Sequence, residues 1–344
     1  MGQSMRRDFS RRQFLAGLGG VSGAALAAMV APGSLLRSAD DFAEPVETAS
    51  LAAPGDEAVL GRQAVPPEPS ATPTFVRAPG PNHLAWVWRF DYDGKPEQIR
   101  ETLAEHGLGI ALKTHDGFRW MSRYDESRTA IGGPADVERY ADFFERGGVP
   151  FHAWTVVKGQ NVAREARLAS DVLNAGARSL FLDLEPYDKF WSGTPEDAER
   201  FGEELRRRQP GAWLSTSIDP RPWELSSIPL AEFAAFSDEL SPQTYWGLFS
   251  SSANVRLYRE SGDAVPGGRV TPGFVLSTTL AHLSRFGLPV HPIGDGTVAA
   301  KGWRDFITES QGAQVETVSV WRYGVADPAI WGLLRDAPPG AVAS

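Results

Sequence analysis

Two carboxylates close an apolar run in SLFLDLEPYDKFW, residues 179–191. Side chains on a β-strand alternate between its two faces. Leu180, Leu182 and Leu184 then point one way, and Phe181, Asp183 and Glu185 the other. An ionised carboxylate in an apolar interior is costly without partners. A purely structural role is therefore expensive, and an Asp buried against a Lys is the alternative that carries it. Two acids on one face suit general acid catalysis. One protonates a leaving oxygen, and the other handles the positive charge that develops on the substrate. Two carboxylates that close repel when both are ionised, so the pair is expected to keep one proton near neutral pH.

The elements that must position these acids follow from the rhythm of the chain. From about residue 82 onward, apolar β-rich runs alternate with amphipathic stretches. Strands are predicted at 84–88, 108–113, 150–157, 179–185, 212–217, 238–245, 270–276 and 315–321, each followed by a helical segment. Strands alternating with helices imply a parallel sheet. Eight such units over residues 82–338 predict the α/β class and a (β/α)8 TIM barrel. A doubly wound open sheet would be expected to carry a Gly-rich phosphate turn after its first strand, and RFDYDGKP is not one. In a barrel the leucine face lies under the helices. Phe181, Asp183 and Glu185 then climb the lumen toward the C-terminal mouth, where barrel enzymes keep their chemistry.

The same parity gathers further polar and aromatic groups at that mouth. Strand two ends in Lys113, followed by Thr114, His115 and Asp116. Strand three offers His152 and Trp154, and strand five ends in Ser217 and Asp219. Strand six places Ser241, Gln243 and Tyr245 on one face, with Trp246 next, and strand eight does the same with Ser319, Trp321 and Tyr323. Flat indole and phenol faces can cover the apolar faces of sugar rings. The candidate catalytic residues are thus Glu185, Asp183 and Tyr245. The candidate substrate-binding residues are Lys113, Asp116, Gln243, Trp246, Trp321, Trp154 and Asp219, with Tyr187 and Trp191 behind them. Any one of these aromatics, taken alone, is more often a core residue.

Metal and nucleophile chemistry find less support. The six histidines are His83, His106, His115, His152, His282 and His291, and they form no H-x-H pair and no H-E-x-x-H helix. His115 with Asp116, Asp183 and Glu185 is the one combination that could hold a cation. No G-x-S-x-G is present. No metal and no cofactor are expected.

The whole chain narrows the class. Its net charge of −9 argues against nucleic acid, because phosphate binding needs a basic face. The absence of Cys removes disulfides, thiolate metal sites and a lipobox. Ser10-Arg11-Arg12-Gln13-Phe14-Leu15 reads as a twin-arginine export motif. The stretch after it, LAGLGGVSGAALAAMVAPG, is rich in Gly and Ala and only mildly apolar, which suits an export signal better than a stable membrane span. Residues 1–32 are therefore predicted to engage the twin-arginine translocation machinery. The product would be exported across the cytoplasmic membrane to the periplasm, cell wall or exterior, with no stable span after processing. Residues 33–81, rich in Pro, Ala and Glu without a persistent period, are predicted to be a disordered tether.

Several of these residues resemble known families. Asp183-Leu184-Glu185 at the end of a fourth barrel strand resembles the acid pair of chitinase-type family 18 and lysozyme-type family 25 glycoside hydrolases. The resemblance implies that Glu185 is the proton donor. It implies that Asp183 orients a substrate N-acetyl group that attacks from within the substrate, an exception to the two-carboxylate displacement scheme. Tyr245 in Gln243-Thr244-Tyr245-Trp246 falls where the chitinase pattern has M-x-Y-D, and would hydrogen-bond the same acetamido group. Trp321-Arg322-Tyr323 is similar to the W-Q-Y of the lysozyme-type family. The departures are specific. Arg178 and Phe181 stand where D-x-x-D-x-D-x-E has its first two acids, Gln243 and Trp246 replace the Met and Asp of M-x-Y-D, and the first strand lacks an early G-x-D.

Two readings follow. The first is an exported glycoside hydrolase acting on a β-linked, optionally N-acetylated polysaccharide or cell-wall glycan. The second is a catalytically silent barrel that binds glycan or serves the cell envelope. Pairing of Glu185 with Lys113 or Arg178 would favour the second.

Overall fold

The computed structural model describes residues 82–340, so the predicted signal at 1–32 and the tether at 33–81 lie outside the described residues. Eight strands form the centre: β1 Leu84–Val87, β2 Gly109–Asp116, β3 Phe151–Val156 and β4 Ser179–Leu184, then β5 Trp213–Ile218, β6 Glu239–Thr244, β7 Ile293–Asp295 and β8 Ser319–Trp321. Each pairs in parallel with the next. β8 returns to β1 through Leu84↔Ser319, which closes the sheet into a barrel. Helices cover the outside: α1 Pro96–Glu105, α2 Pro134–Arg146, α3 Val162–Asn174, α4 Pro195–Arg208, α5 Leu230–Phe236, α6 Ser252–Glu260, α7 Pro272–Leu283, α8 Ala300–Gly312 and α9 Ala329–Arg335. The predicted (β/α)8 barrel is the observed fold.

Local signals account for the helices. Asn161 accepts from the Arg164 N–H at the start of α3, and Thr194 with Asp197 forms a reciprocal capping box on α4. α3 buries Ala166, Ala169 and Val172, a three-residue spacing that lays one face on the barrel.

Strand parity places the lumen. The Phe181 ring meets Trp86, His152 and His291, which come from elsewhere around the barrel, so Phe181 points inward. Leu180, Leu182 and Leu184, all fully buried, therefore face the helices. Trp86 lies 5.3 Å from Trp154, 5.2 Å from Phe181 and 5.9 Å from Trp321, between ring centroids. These four aromatics form one lumen layer that the acids stand above. Toward the N-terminal end the filling turns polar. The His152 Nδ1 lies 2.7 Å from the Ser179 hydroxyl, and the hydroxyls of Ser215 and Ser241 are 2.7 Å apart.

One strand was expected in the wrong place. Residues 270–276 open α7, not a strand, because Thr271 caps Phe274 N–H and Pro272 occupies the first helical turn. The true β7, Ile293–Asp295, has three residues and an internal Gly, too short to show alternation. Strand eight is also shorter than expected, and β2 runs three residues further, through Asp116. Among the described residues, no helix is long and apolar enough to cross a membrane.

Candidate active site

The site is built from the C-terminal ends of β4, β5 and β6. Register sets Asp183 beside Ser217, and Ser217 beside Ser241. Gln243 lies two residues further along β6 and so returns to the same face. Its Nε2 donates to Asp183 Oδ1 and to Glu185 Oε1, both at 2.9 Å. Ser217 Oγ donates to Asp183 Oδ1 at 3.3 Å and lies 3.3 Å from the same Gln243 nitrogen. The amide nitrogen has two hydrogens, one for each acid. Asp183, Glu185 and Gln243 are 0 %, 1 % and 3 % exposed. Two carboxylates from one strand end are thus tied to one amide. Gln243, expected to bind substrate, has its nitrogen committed to the acid pair.

Tyr245 follows at the turn leaving β6. It is buried, its N–H donates to Gln243 O at 2.9 Å, and its ring lies 6.2 Å from Phe249.

Lys113 and Asp116 occupy the end of β2. Lys113 Nζ donates to Asp116 Oδ2 at 2.9 Å, and Lys158 pairs with the other carboxylate oxygen. Burial alone would push the Asp116 carboxyl up, but the two ammonium groups outweigh it and hold it below its ordinary value. Lys113 Nζ also sits 4.9 Å from the Trp154 ring centre, a cation–π contact inside the lumen. Burial lowers the neighbouring His115 to about 3, with Asp116 opposing and Lys113 assisting, so its imidazole is neutral at pH 7. His115 pairs with Thr114 Oγ1 at 2.9 Å. Among the described residues, no group of three or more His, Asp or Glu is placed to hold a metal ion. The combination of His115, Asp116, Asp183 and Glu185 is not assembled.

Three expectations are corrected here. The Asp219 carboxylate is turned to partners within the protein and is not left open at the strand end. Arg221 holds it through Nε at 3.0 Å and Nη2 at 2.7 Å, and Tyr187 donates to it at 2.7 Å. Trp246 is not a mouth platform. It begins a helical turn after Tyr245, and its ring packs 5.7 Å from Trp303 and 4.9 Å from Phe306 of α8, which belong to the helical layer. Tyr323 leaves the strand for a turn, where it stacks on Trp331 of α9 and donates to Thr102 of α1 at 3.0 Å. Trp154 and Trp321 do face the lumen, yet each is only 2 % exposed and their rings lie 5.4 Å apart. Trp191 packs edge-on against Phe233 of α5.

Sequence reasoning missed Trp86, Lys158 and Arg221. Alternation along LAWVW puts Trp86 and Trp88 on one face, a signal that was available. Lys158 and Arg221 lie beyond their strand ends, where parity no longer applies.

No protein-family model matches the chain, and no curated protein matches it. Among solved structures it is similar to a glycoside hydrolase family 18 N-acetylglucosaminidase from Paenibacillus barengoltzii, with a TM-score of 0.51 and 10 % identity over 74 % of this chain and 99 % of that one. It is also similar to the spore cortex-lytic enzyme SleL of Bacillus cereus, with a TM-score of 0.49 and 13 % identity over 76 % of this chain and 75 % of that one. A third is the catalytic domain of a hyperthermophilic chitinase from Pyrococcus furiosus, with a TM-score of 0.46 and 12 % identity over 74 % of this chain and 96 % of that one. At such identities the first likeness speaks to fold. The chain has the closed parallel barrel of that glycoside hydrolase, and its own acid pair stands at the C-terminal end of β4.

Proposed function

We propose that the protein is an exported glycoside hydrolase that cleaves a β-linked, N-acetylated polysaccharide by acid catalysis. The observation that carries this reading is the Gln243 amide held at 2.9 Å from both Asp183 and Glu185 where β4 opens toward the C-terminal face. Glu185 is the proton donor. As the glycosidic bond breaks, its proton passes to the leaving oxygen, and the carbonyl oxygen of the substrate acetamido group bonds to the anomeric carbon. Asp183 orients that acetamido group, with Tyr245 as a second hydrogen-bonding partner. Water then opens the cyclic intermediate and returns a proton to Glu185. Gln243 and Ser217 hold the acids during both steps, acting as positioning residues.

Arg178 precedes β4, at the end opposite Glu185, and pairs with Glu145 at 2.6 Å. The name of the Paenibacillus neighbour supports an N-acetylated substrate. Ser10–Leu15 and the Pro-rich segment after them support export by the twin-arginine route and action in the periplasm, cell wall or exterior.

The decisive experiment is reducing-end release from peptidoglycan, chitin oligomers, β-glucans and α-glucans by wild type and by Glu185→Gln. Release that falls at least about 100-fold in the variant establishes the glycosidase. Glycan binding without release by wild type, unchanged in the variant, leaves the silent barrel.

A further inference from the structure

Among the described residues, the exposed large hydrophobic side chains are Tyr92, 51 % exposed, and Tyr124, 43 % exposed. Both belong to loops that follow barrel strands: Tyr92 to the turn after β1, Tyr124 to the segment after β2. Both therefore lie on the face of the barrel that carries Asp183 and Glu185. One guanidinium connects them. Arg89 sits 4.8 Å from the Tyr92 ring centre, and its Nη2 reaches Asp125, the neighbour of Tyr124, at 3.5 Å. Asp91 fixes the same guanidinium through two hydrogen bonds of 3.0 and 2.6 Å. Tyr92 is thus held on a built support, and the chain next to Tyr124 is tied to the same guanidinium.

A line of contacts joins that support to the lumen. Trp154 and Trp321 pack against each other and against Trp86. Arg322, next to Trp321, is anchored by Asp93 and lies 5.6 Å from the Trp88 ring centre. Trp88 is half-buried and packs on Tyr92 at 5.1 Å. Contacts therefore run from the aromatic layer under the acids, through Arg322 and Trp88, to an exposed ring at the rim. Exposed tyrosine faces beside a fixed Arg–Asp pair match a pyranose, which offers an apolar C–H face and hydroxyls around its edge.

We propose that Tyr92 and Tyr124, set by Arg89, Asp91 and Asp125, form an outer sugar subsite that holds a glycan strand where it leaves the barrel mouth. The proposal rests on the glycoside hydrolase reading above and adds to it a preference for long chains. A short oligomer fills only the barrel; a longer one also reaches the tyrosines.

The test measures binding of β-1,4-linked N-acetylglucosamine dimer and hexamer to the full chain carrying Glu185→Gln, with and without Tyr92→Ala plus Tyr124→Ala. Calorimetry and intrinsic fluorescence, to which Trp88 contributes, report the affinity. The parent should bind the hexamer about tenfold more tightly than the dimer, a difference of about 1.4 kcal/mol. The double variant should lose that gain and leave dimer affinity unchanged. Tyr92→Phe plus Tyr124→Phe, which keeps both ring faces, should retain most of it. A hexamer advantage that survives both alanine changes overturns the subsite and leaves the barrel reading intact. Failure of both oligomers to bind either form overturns the two together. Concentration-dependent self-association that vanishes with the alanine changes would assign the tyrosines to a protein contact instead.

Discussion

Gln243 makes its shortest side-chain contacts with the two acids, and its value at this site lies in doing so at equal distance. A hydrogen bond to a charged group is worth about 1.5–3 kcal/mol, and its loss inside a protein leaves the acceptor without solvent to replace it. Gln243→Leu is therefore expected to lower kcat on the responding glycan by roughly 100-fold, with a much smaller change in KM. Steady-state kinetics alongside a thermal melt would separate mispositioned acids from a misfolded barrel, and an unchanged kcat would remove Gln243 from the site. Asp219 makes the contrasting case. Its carboxylate is held by Arg221 and Tyr187, and burial raises the Tyr187 hydroxyl well above its ordinary value, with Asp219 adding to the effect. Breaking a buried ion pair by removing one partner costs about 3–5 kcal/mol. Asp219→Ala is expected to cost stability first, seen as a lowered melting temperature, and to affect turnover only through that loss.

At the scale of the element, β7 shows how a strand can be decided by its neighbour. Gly294 lies under α8, where an added Cβ would stand 2.5 Å from Trp303 Cη2 and 2.7 Å from Cζ2. Trp303 cannot withdraw easily, because its Nε1 donates to Asp295 O at 2.9 Å and its ring packs on Phe306. Overpacking of this kind costs about 1–3 kcal/mol. Gly294→Ala is expected to destabilise the protein by that amount in urea unfolding, and a variant as stable as wild type would show that α8 can shift. The α7 N-terminus is the second case. Thr271 and Pro272 start a helix over an apolar run that resembles a buried strand, so the cap outweighs the composition.

For the whole molecule, the N-terminal end of the lumen sets a pH dependence. Burial raises the Glu239 carboxyl to about 7, with Ser215 and Ser241 partly offsetting it. The native state then holds a proton that the unfolded chain releases above its ordinary carboxylate range. The associated stability is complete below about pH 4.5 and is lost as pH rises through about 7, a term on the order of 3 kcal/mol. His152 and His291 act in the opposite sense. Burial lowers each to about 3, so their contribution is complete above their ordinary value of 6.5 and is lost as pH falls toward 3. Glu239→Gln removes only the first of these. Its melting temperature relative to wild type should rise steadily between pH 5 and pH 8 and stay flat below pH 4.5. A difference independent of pH would mean that Glu239 titrates alike in the native and unfolded chain.

The sequence by itself determined the barrel, the strand that carries the acids and the face on which they lie. These are local properties: a period of two in LFLDLE, an alternation of strand and helix, and a Thr or Asn at a helix start can all be seen in a few residues. The partners of those residues were decided by tertiary structure alone. Gln243 meets Asp183 and Glu185 because register carries one face from β4 through β5 to β6, a relation between segments about 60 residues apart in the chain. Trp246 turned outward and Asp219 found Arg221 because both lie at or past strand ends, where the backbone bends and alternation stops. The three-residue β7 is held by its neighbours in the ladder, and no local pattern in so short a run could have set it apart.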